Sequence, residues 1–184
     1  MIRRPPSSPL LPSPALFRFV RLDGERDRDA LQRSLAQLIA RHDALRTVFL
    51  SIDGEPRAKV LPAETPFPLT MFDVGDADDV DAQRARHVRD HAHLPFDLER
   101  GPLVRAGLVR TSAQRHTLLL SMHHIVSDGW SVNLIAREIG ETYTAFSQGR
   151  TPSLPPLSVQ YPDYASWQRA TLTPVRLKGP ADYW

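Results

Sequence analysis

The sequence predicts an α/β or α+β fold, a two-layer sandwich in which helices pack on a mixed sheet. Short apolar stretches at 15–22, 47–50, 58–61, 104–110 and 116–122 have the alternation or continuity of strands. Between them lie stretches at 27–43, 78–93 and 131–148 whose apolar residues return every three or four positions, as on one face of a helix. The 184 residues suffice for one domain with a real core and are too few for two complete ones.

Residues 15–22, ALFRFVRL, set Leu16, Phe17, Phe19, Val20 and Leu22 among basic side chains, a first strand that Asp23-Gly24 ends. Asp27 can cap a helix reaching about residue 43, with Leu31, Leu35, Leu38, Ile39 and His42 on one face. The second strand begins at Thr47, and Asp53-Gly54 turns it into a partner at 58–61, a hairpin. Residues 62–75 are proline-rich and read as a crossing loop with a short edge strand at 69–72. The helix at 78–93 has a thin face of Val80, Ala85, Val88 and Ala92, as a surface helix on a sheet would. After a compact turn region around 95–103, Leu118-Leu119-Leu120 marks the strand expected deepest in the sheet. The clearest helix follows, with Val132, Ile135, Ile139, Tyr143 and Phe146 buried, Ser131 capping its start and Gly149 ending it. Three prolines make 151–158 an extended linker, and the tail from Tyr161 is an aromatic segment that needs a surface to cover it.

Several function classes are disfavoured. The net charge is only +2, and no basic block follows Arg3-Arg4, so no nucleic-acid partner is expected. The absence of cysteine excludes disulfides, a thiol nucleophile and thiolate metal sites, and it agrees with a cytoplasmic location. No apolar run reaches membrane-spanning length, so no membrane partner is expected. Residues 1–14 carry five prolines, which break any apolar helix of a signal peptide and define a proline-rich leader.

Chemistry concentrates in SMHHIVSDGWS, 121–131, where the buried strand gives way to the last helix. Successive strand residues face opposite sides, so His123 and His124 are expected in different environments, one structural and one at a cleft edge. A neutral imidazole there can take a proton near neutral pH. Asp128 can fix local geometry, and Gly129 permits close approach or unusual dihedrals. Read alone, the same residues also fit satisfied polar groups, a weak metal site and an ordinary Asp-Gly turn. A second histidine cluster, His87, His91 and His93, is a weaker metal candidate, and the HExxH, GxSxG, phosphate-loop and dinucleotide patterns are all absent.

The string HHIVSDGWS resembles the HHxxxDG active-site motif of nonribosomal peptide synthetase condensation domains. Four further segments match that family in order: RHDALRTVF at 41–49, FDLERGPLVR at 96–105, YPDYASWQ at 161–168 and the YW that closes 181–184. The family fold is a pair of chloramphenicol-acetyltransferase-like lobes forming a V. The resemblance therefore implies an N-terminal lobe at 15–150, with 151–184 leading toward a C-terminal lobe that this sequence does not contain. The family's AQxRL-like upstream segment is replaced by the leader at 1–14. The intact histidine pair disfavours the cyclising branch, and the DG-W ending resembles condensation rather than epimerisation.

The resemblance implies peptide-bond formation between a donor acyl thioester and the amine of an acceptor aminoacyl thioester. It makes His124 catalytic and gives Gly129 a part in serving the developing oxyanion. His123 and Asp128 become structural, with Arg46 the candidate arginine to pair with Asp128. No cofactor or metal is implied in this chain; the substrates ride on phosphopantetheine arms. The implied partners are donor and acceptor peptidyl carrier domains, the C-terminal lobe and a neighbouring adenylation domain. An isolated lobe is expected to be inactive and prone to self-association through apolar surface. Two alternatives stay open: a catalytically silent lobe that docks a carrier or neighbouring domain, and a small acyltransferase using acyl-coenzyme A.

Overall fold

The computed structural model describes residues 15–24, 27–173 and 176; the leader at 1–14 and the closing 181–184 lie outside them. The first strand, β1 (Ala15–Asp23), leads to α1 (Arg28–Arg41), whose start Asp27 caps by accepting from Ala30 N–H at 2.8 Å. A single 3-10 turn, Asp43–Arg46, joins α1 to β2 (Thr47–Ile52), which pairs with β3 (Glu55–Val60). The hairpin turn uses Asp53 at φ 54° and Gly54 at φ 82°. Both lie in the left-handed region that a two-residue turn matched to strand twist requires, which is why Asp-Gly signalled it.

The remaining elements are β4 (Leu69–Asp73), α2 (Val80–His93), β5 (Val104–Ser112), β6 (Arg115–His123), α3 (Gly129–Ser147) and α4 (Tyr161–Thr171). Four strands form one sheet in the order β1-β6-β5-β4. The β1–β6 and β6–β5 pairs are antiparallel and β4–β5 is parallel, so the sheet is mixed. Leu118, Leu120 and Met122 of β6 and Val104, Ala106 and Leu108 of β5 face α1 and α3, against Leu31, Leu35, Leu38, Ile39, Val132, Ile135 and Ile139. The expected pair of layers is therefore present, and α2 adds a third. On the opposite face Leu119 and Val109 pack with Val74, Phe72, Val80 and Val88. With both faces covered, β6 is buried from His116 to His123, which accounts for its unbroken leucine run.

The packed face of α2 differs from the sequence expectation. Ala85 is exposed, and the buried residue is His91. The ring fits because Gly107 of β5 has no side chain: a Cβ there would lie 3.2 Å from His91 Nδ1. Among the described residues His91 Nε2 has no hydrogen-bond partner. Burial first, and then the neighbouring Arg105 guanidinium, push the His91 pKa down from 6.5 to about 4. A depressed histidine pKa means that the unfolded chain binds the proton first. Stability from this site is complete above about pH 6.5 and falls as the pH drops toward 4. Urea melts should show a loss of about 2 kcal/mol across that window, flattened in His91→Leu.

Among the described residues no helix is long and apolar enough to cross a membrane.

Candidate active site

The site forms where β6 ends. His123, the last strand residue, is buried, and its backbone N–H donates to Leu103 O at 2.9 Å. The following turn folds back on it. Val126 N–H donates to His123 O at 3.1 Å, Ser127 Oγ donates to the same oxygen at 3.0 Å, and Ile125 N–H donates to His123 Nδ1 at 3.1 Å. The ring meets Phe96 edge-on, 6.1 Å between centroids at 87°. Burial, with His124 beside it, lowers the His123 pKa, which agrees with an Nδ1 that accepts rather than donates. His123 is thus held neutral inside the turn.

His124 is the first residue of that turn, and it is exposed. It lines a cleft of ≈ 290 Å³ together with Ala44, Thr47, Phe49, Ser127, Asp128, Ser131 and Tyr161. The two adjacent histidines therefore occupy different surroundings because the strand stops between them: one side chain completes the sheet and the next starts the surface.

Asp128 caps α3. Its Oδ1 accepts from Ser131 N–H at 2.8 Å and from Ser131 Oγ at 2.7 Å, while Asp128 N–H donates to Ser131 Oγ at 3.3 Å. This is a reciprocal capping box, in which the cap side chain and the third helical residue satisfy each other's backbone N–H. The Ser131 hydroxyl, then its backbone N–H, hold the Asp128 carboxyl below the usual carboxylate range. The cap is thus Asp128 rather than Ser131, which sits at the third helical position and returns the bond.

Two expectations need correcting. Arg46 does not turn to Asp128: its guanidinium donates to the Asp43 carboxylate and to the Leu61 carbonyl, tying the 3-10 turn to the end of the hairpin. Asp43 lies three residues back on the same turn, whereas Asp128 is already engaged by the start of α3. Gly129 has no unusual backbone angle; it is the first residue of α3, outside the positive-φ set, and a Cβ there would meet nothing within 4 Å. What Gly129 offers is a backbone N–H in the helix's first turn, where no helical carbonyl accepts it. The weaker histidine cluster is not gathered into one site: His91 is buried, while His87 stacks on Phe72 at 4.2 Å. Among the described residues no group of three His, Cys, Asp or Glu is placed to hold a metal ion.

A buried carboxylate escaped the sequence reading. Glu138 of α3 is 4% exposed; its Oε1 accepts from Arg41 Nε at 3.2 Å and its Oε2 bonds His42 Nε2 at 2.6 Å. Arg41 also donates to Pro155 O at 2.6 Å, so this hub fastens the extended linker to the end of α1. The available signal was position, because Glu138 falls between Ile135 and Ile139 on the apolar face of a helix. The aromatic segment is also more ordered than a tail: α4 sets Tyr161, Tyr164 and Trp167 at spacings of three, their rings tilted to one another with centroids 6.0 and 5.7 Å apart. All three rings are exposed, as are Trp130 and Ile125 near the cleft.

A mixed sheet backed by α1 and α3, with a histidine turn opening on a cleft, defines a lobe of the chloramphenicol-acetyltransferase-like class. A family model described as Condensation domain matches residues 17–184, and the chain belongs to that family. It is 45% identical over 165 residues to malpibaldin synthetase of Mortierella alpina, a match covering 90% of this chain and 3% of that protein. It is 37% identical over 165 residues to bacitracin synthase 3 of Bacillus licheniformis, covering 90% of this chain and 2% of that protein. Among solved structures, the X-domain from teicoplanin biosynthesis superposes with a TM-score of 0.78 at 30% identity, covering 87% of this chain and 34% of that one. The starter condensation domain of rhizomide synthetase RzmA gives 0.82 at 21% identity, covering 94% and 42%, a likeness of fold. The chain thus spans less than half of each of these two solved structures and a small fraction of each of the two synthetases.

Proposed function

We propose that this chain supplies the histidine-bearing lobe of a cytoplasmic condensation site. There the amine of an acceptor aminoacyl thioester attacks a donor acyl thioester, each held on the phosphopantetheine of a carrier domain. The observation that carries this reading is the division of the histidine pair: His123 is locked in the turn, and His124 stands exposed at a cleft.

In this reading the C–N bond forms as the amine adds to the thioester carbonyl, the C–S bond then breaks, and the amine proton finally rests on the departing thiol. His124 orients the amine and takes that proton in transit. A neutral amine attacks a thioester without much help, so holding two tethered partners at attack distance supplies a large part of the rate. The Gly129 N–H, in the first turn of a nineteen-residue helix, is a donor for the developing oxyanion. Asp128 acts at one remove by fixing where α3 begins, and the partner lobe and an adenylation neighbour complete the channel and its supply.

The test reconstitutes the reaction. The purified chain is combined with the C-terminal lobe from the condensation domain of a relative, with loaded donor and acceptor carriers, and amide product is followed by mass. Turnover that depends on the added lobe and is lost in His124→Ala is the expected result; equal turnover in both forms removes His124 from catalysis. A second reading, a silent docking lobe, has its own support, since the teicoplanin X-domain has been solved in complex with OxyB and resembles this chain at 30% identity with a TM-score of 0.77. Carrier binding without turnover in the reconstituted system would favour that reading.

A further inference from the structure

Tyr161 reaches the His124 cleft from α4, an element separated from the rest of the fold by an extended linker. A wall carried on such an element stays in place only if the start of α4 is fastened, and one side chain does this. Gln160, the residue before α4, donates from Nε2 to Arg41 O at 2.8 Å, and its Oε1 accepts from Asp43 N–H at 3.2 Å. Its backbone N–H is taken by Asp163 Oδ2 at 2.9 Å, which starts the helix. The amide therefore spans the junction between α1 and the 3-10 turn, and that same turn lends Ala44 to the cleft while Thr47 follows it. Behind the junction lies buried Glu138, holding Arg41 and His42.

We infer that Gln160 is a positioning residue: it clamps the start of α4 to the 41–43 junction and so holds Tyr161 as a fixed wall of the cleft that His124 faces, shaping how the acceptor is held. The inference rests on the condensation reading for its kinetic half and on the fold alone for the clamp. In the first arm, amide hydrogen exchange is measured on the chain without substrate. Gln160→Ala should speed exchange across 161–171 about tenfold or more while the sheet keeps its protection. Gln160→Glu, which keeps the acceptor for Asp43 N–H and loses the donor to Arg41 O, should fall between. In the second arm, the reconstituted reaction is used. Gln160→Ala should raise the KM for the acceptor carrier about tenfold with kcat nearly unchanged, and in a Tyr161→Ala background it should add nothing. Unaltered exchange in α4 overturns the clamp. Faster exchange with an unmoved KM, or an equal KM penalty in the Tyr161→Ala background, overturns the positioning role. Absence of turnover from the wild type sinks the condensation reading and the kinetic half together, and the exchange result still decides the clamp.

Discussion

Replacing His124 with alanine should lower turnover in the reconstituted reaction by about a hundredfold or more and leave the melting temperature almost unchanged. Its neighbour gives the opposite pattern. His124 is exposed at the cleft and accounts for none of the bonds that close the turn, so its loss removes a functional group and little structure. His123→Ala removes the acceptor of the Ile125 N–H and the ring packed against Phe96, leaving a buried gap at the end of β6. That change should cost about 2–3 kcal/mol, or a fall in Tm of about 5–10 °C. Measuring Tm and turnover on both variants separates the roles. If His124→Ala unfolds the chain, or if His123→Ala alone abolishes turnover in a stable protein, the assignment is reversed.

Glu138→Ala should be the most destabilising single change outside the apolar core, by about 3 kcal/mol in urea. The side chain is almost fully buried, and its partners Arg41 and His42 have side chains only 14% and 15% exposed, so its removal leaves both without a carboxylate in a poorly solvated place. Glu138→Gln keeps the shape and one acceptor and should lose roughly half as much. A loss below about 1 kcal/mol for the alanine variant would mean that solvent replaces the carboxylate easily, contrary to its burial.

Local signals carried most of the fold. Asp27 and Asp53-Gly54 act through neighbours a few residues away, and each sits where its chemistry places it, while the unbroken leucine run of β6 announced its own burial. The misplacements arise where two local choices compete or where the deciding partner is distant. Ser131 and Asp128 can each begin α3, and the reciprocal bonds make Asp128 the cap. Arg46 has one acidic partner three residues away and another only through folding, and the near one takes it. His91 lies on the packed face of α2 because Gly107, sixteen residues later, leaves room, and periodicity cannot reveal that. In α4 no residue is buried, so there was no apolar stripe to see; Pro162 in its first turn is compatible with a helix but does not announce one. Strand alternation led to the expectation that the two histidines differ, but the strand ends at His123 and the turn is what carries His124 to the cleft, and the contributions of Tyr161 and Gln160 depend on a linker whose course no spacing rule fixes.

The claim on which the rest depends is that the ring of His124, and not that of His123, faces the space where substrate is held. The most direct measurement is the carbon–proton spectrum of the chain with its histidine rings labelled, each signal assigned by substitution, recorded as aminoacyl-loaded acceptor carrier is added with the partner lobe present. The signal of His124 should shift with saturation while those of His123 and His91 stay in place. Saturable carrier binding that leaves the His124 signal unmoved, or that shifts His123 instead, would contradict the account.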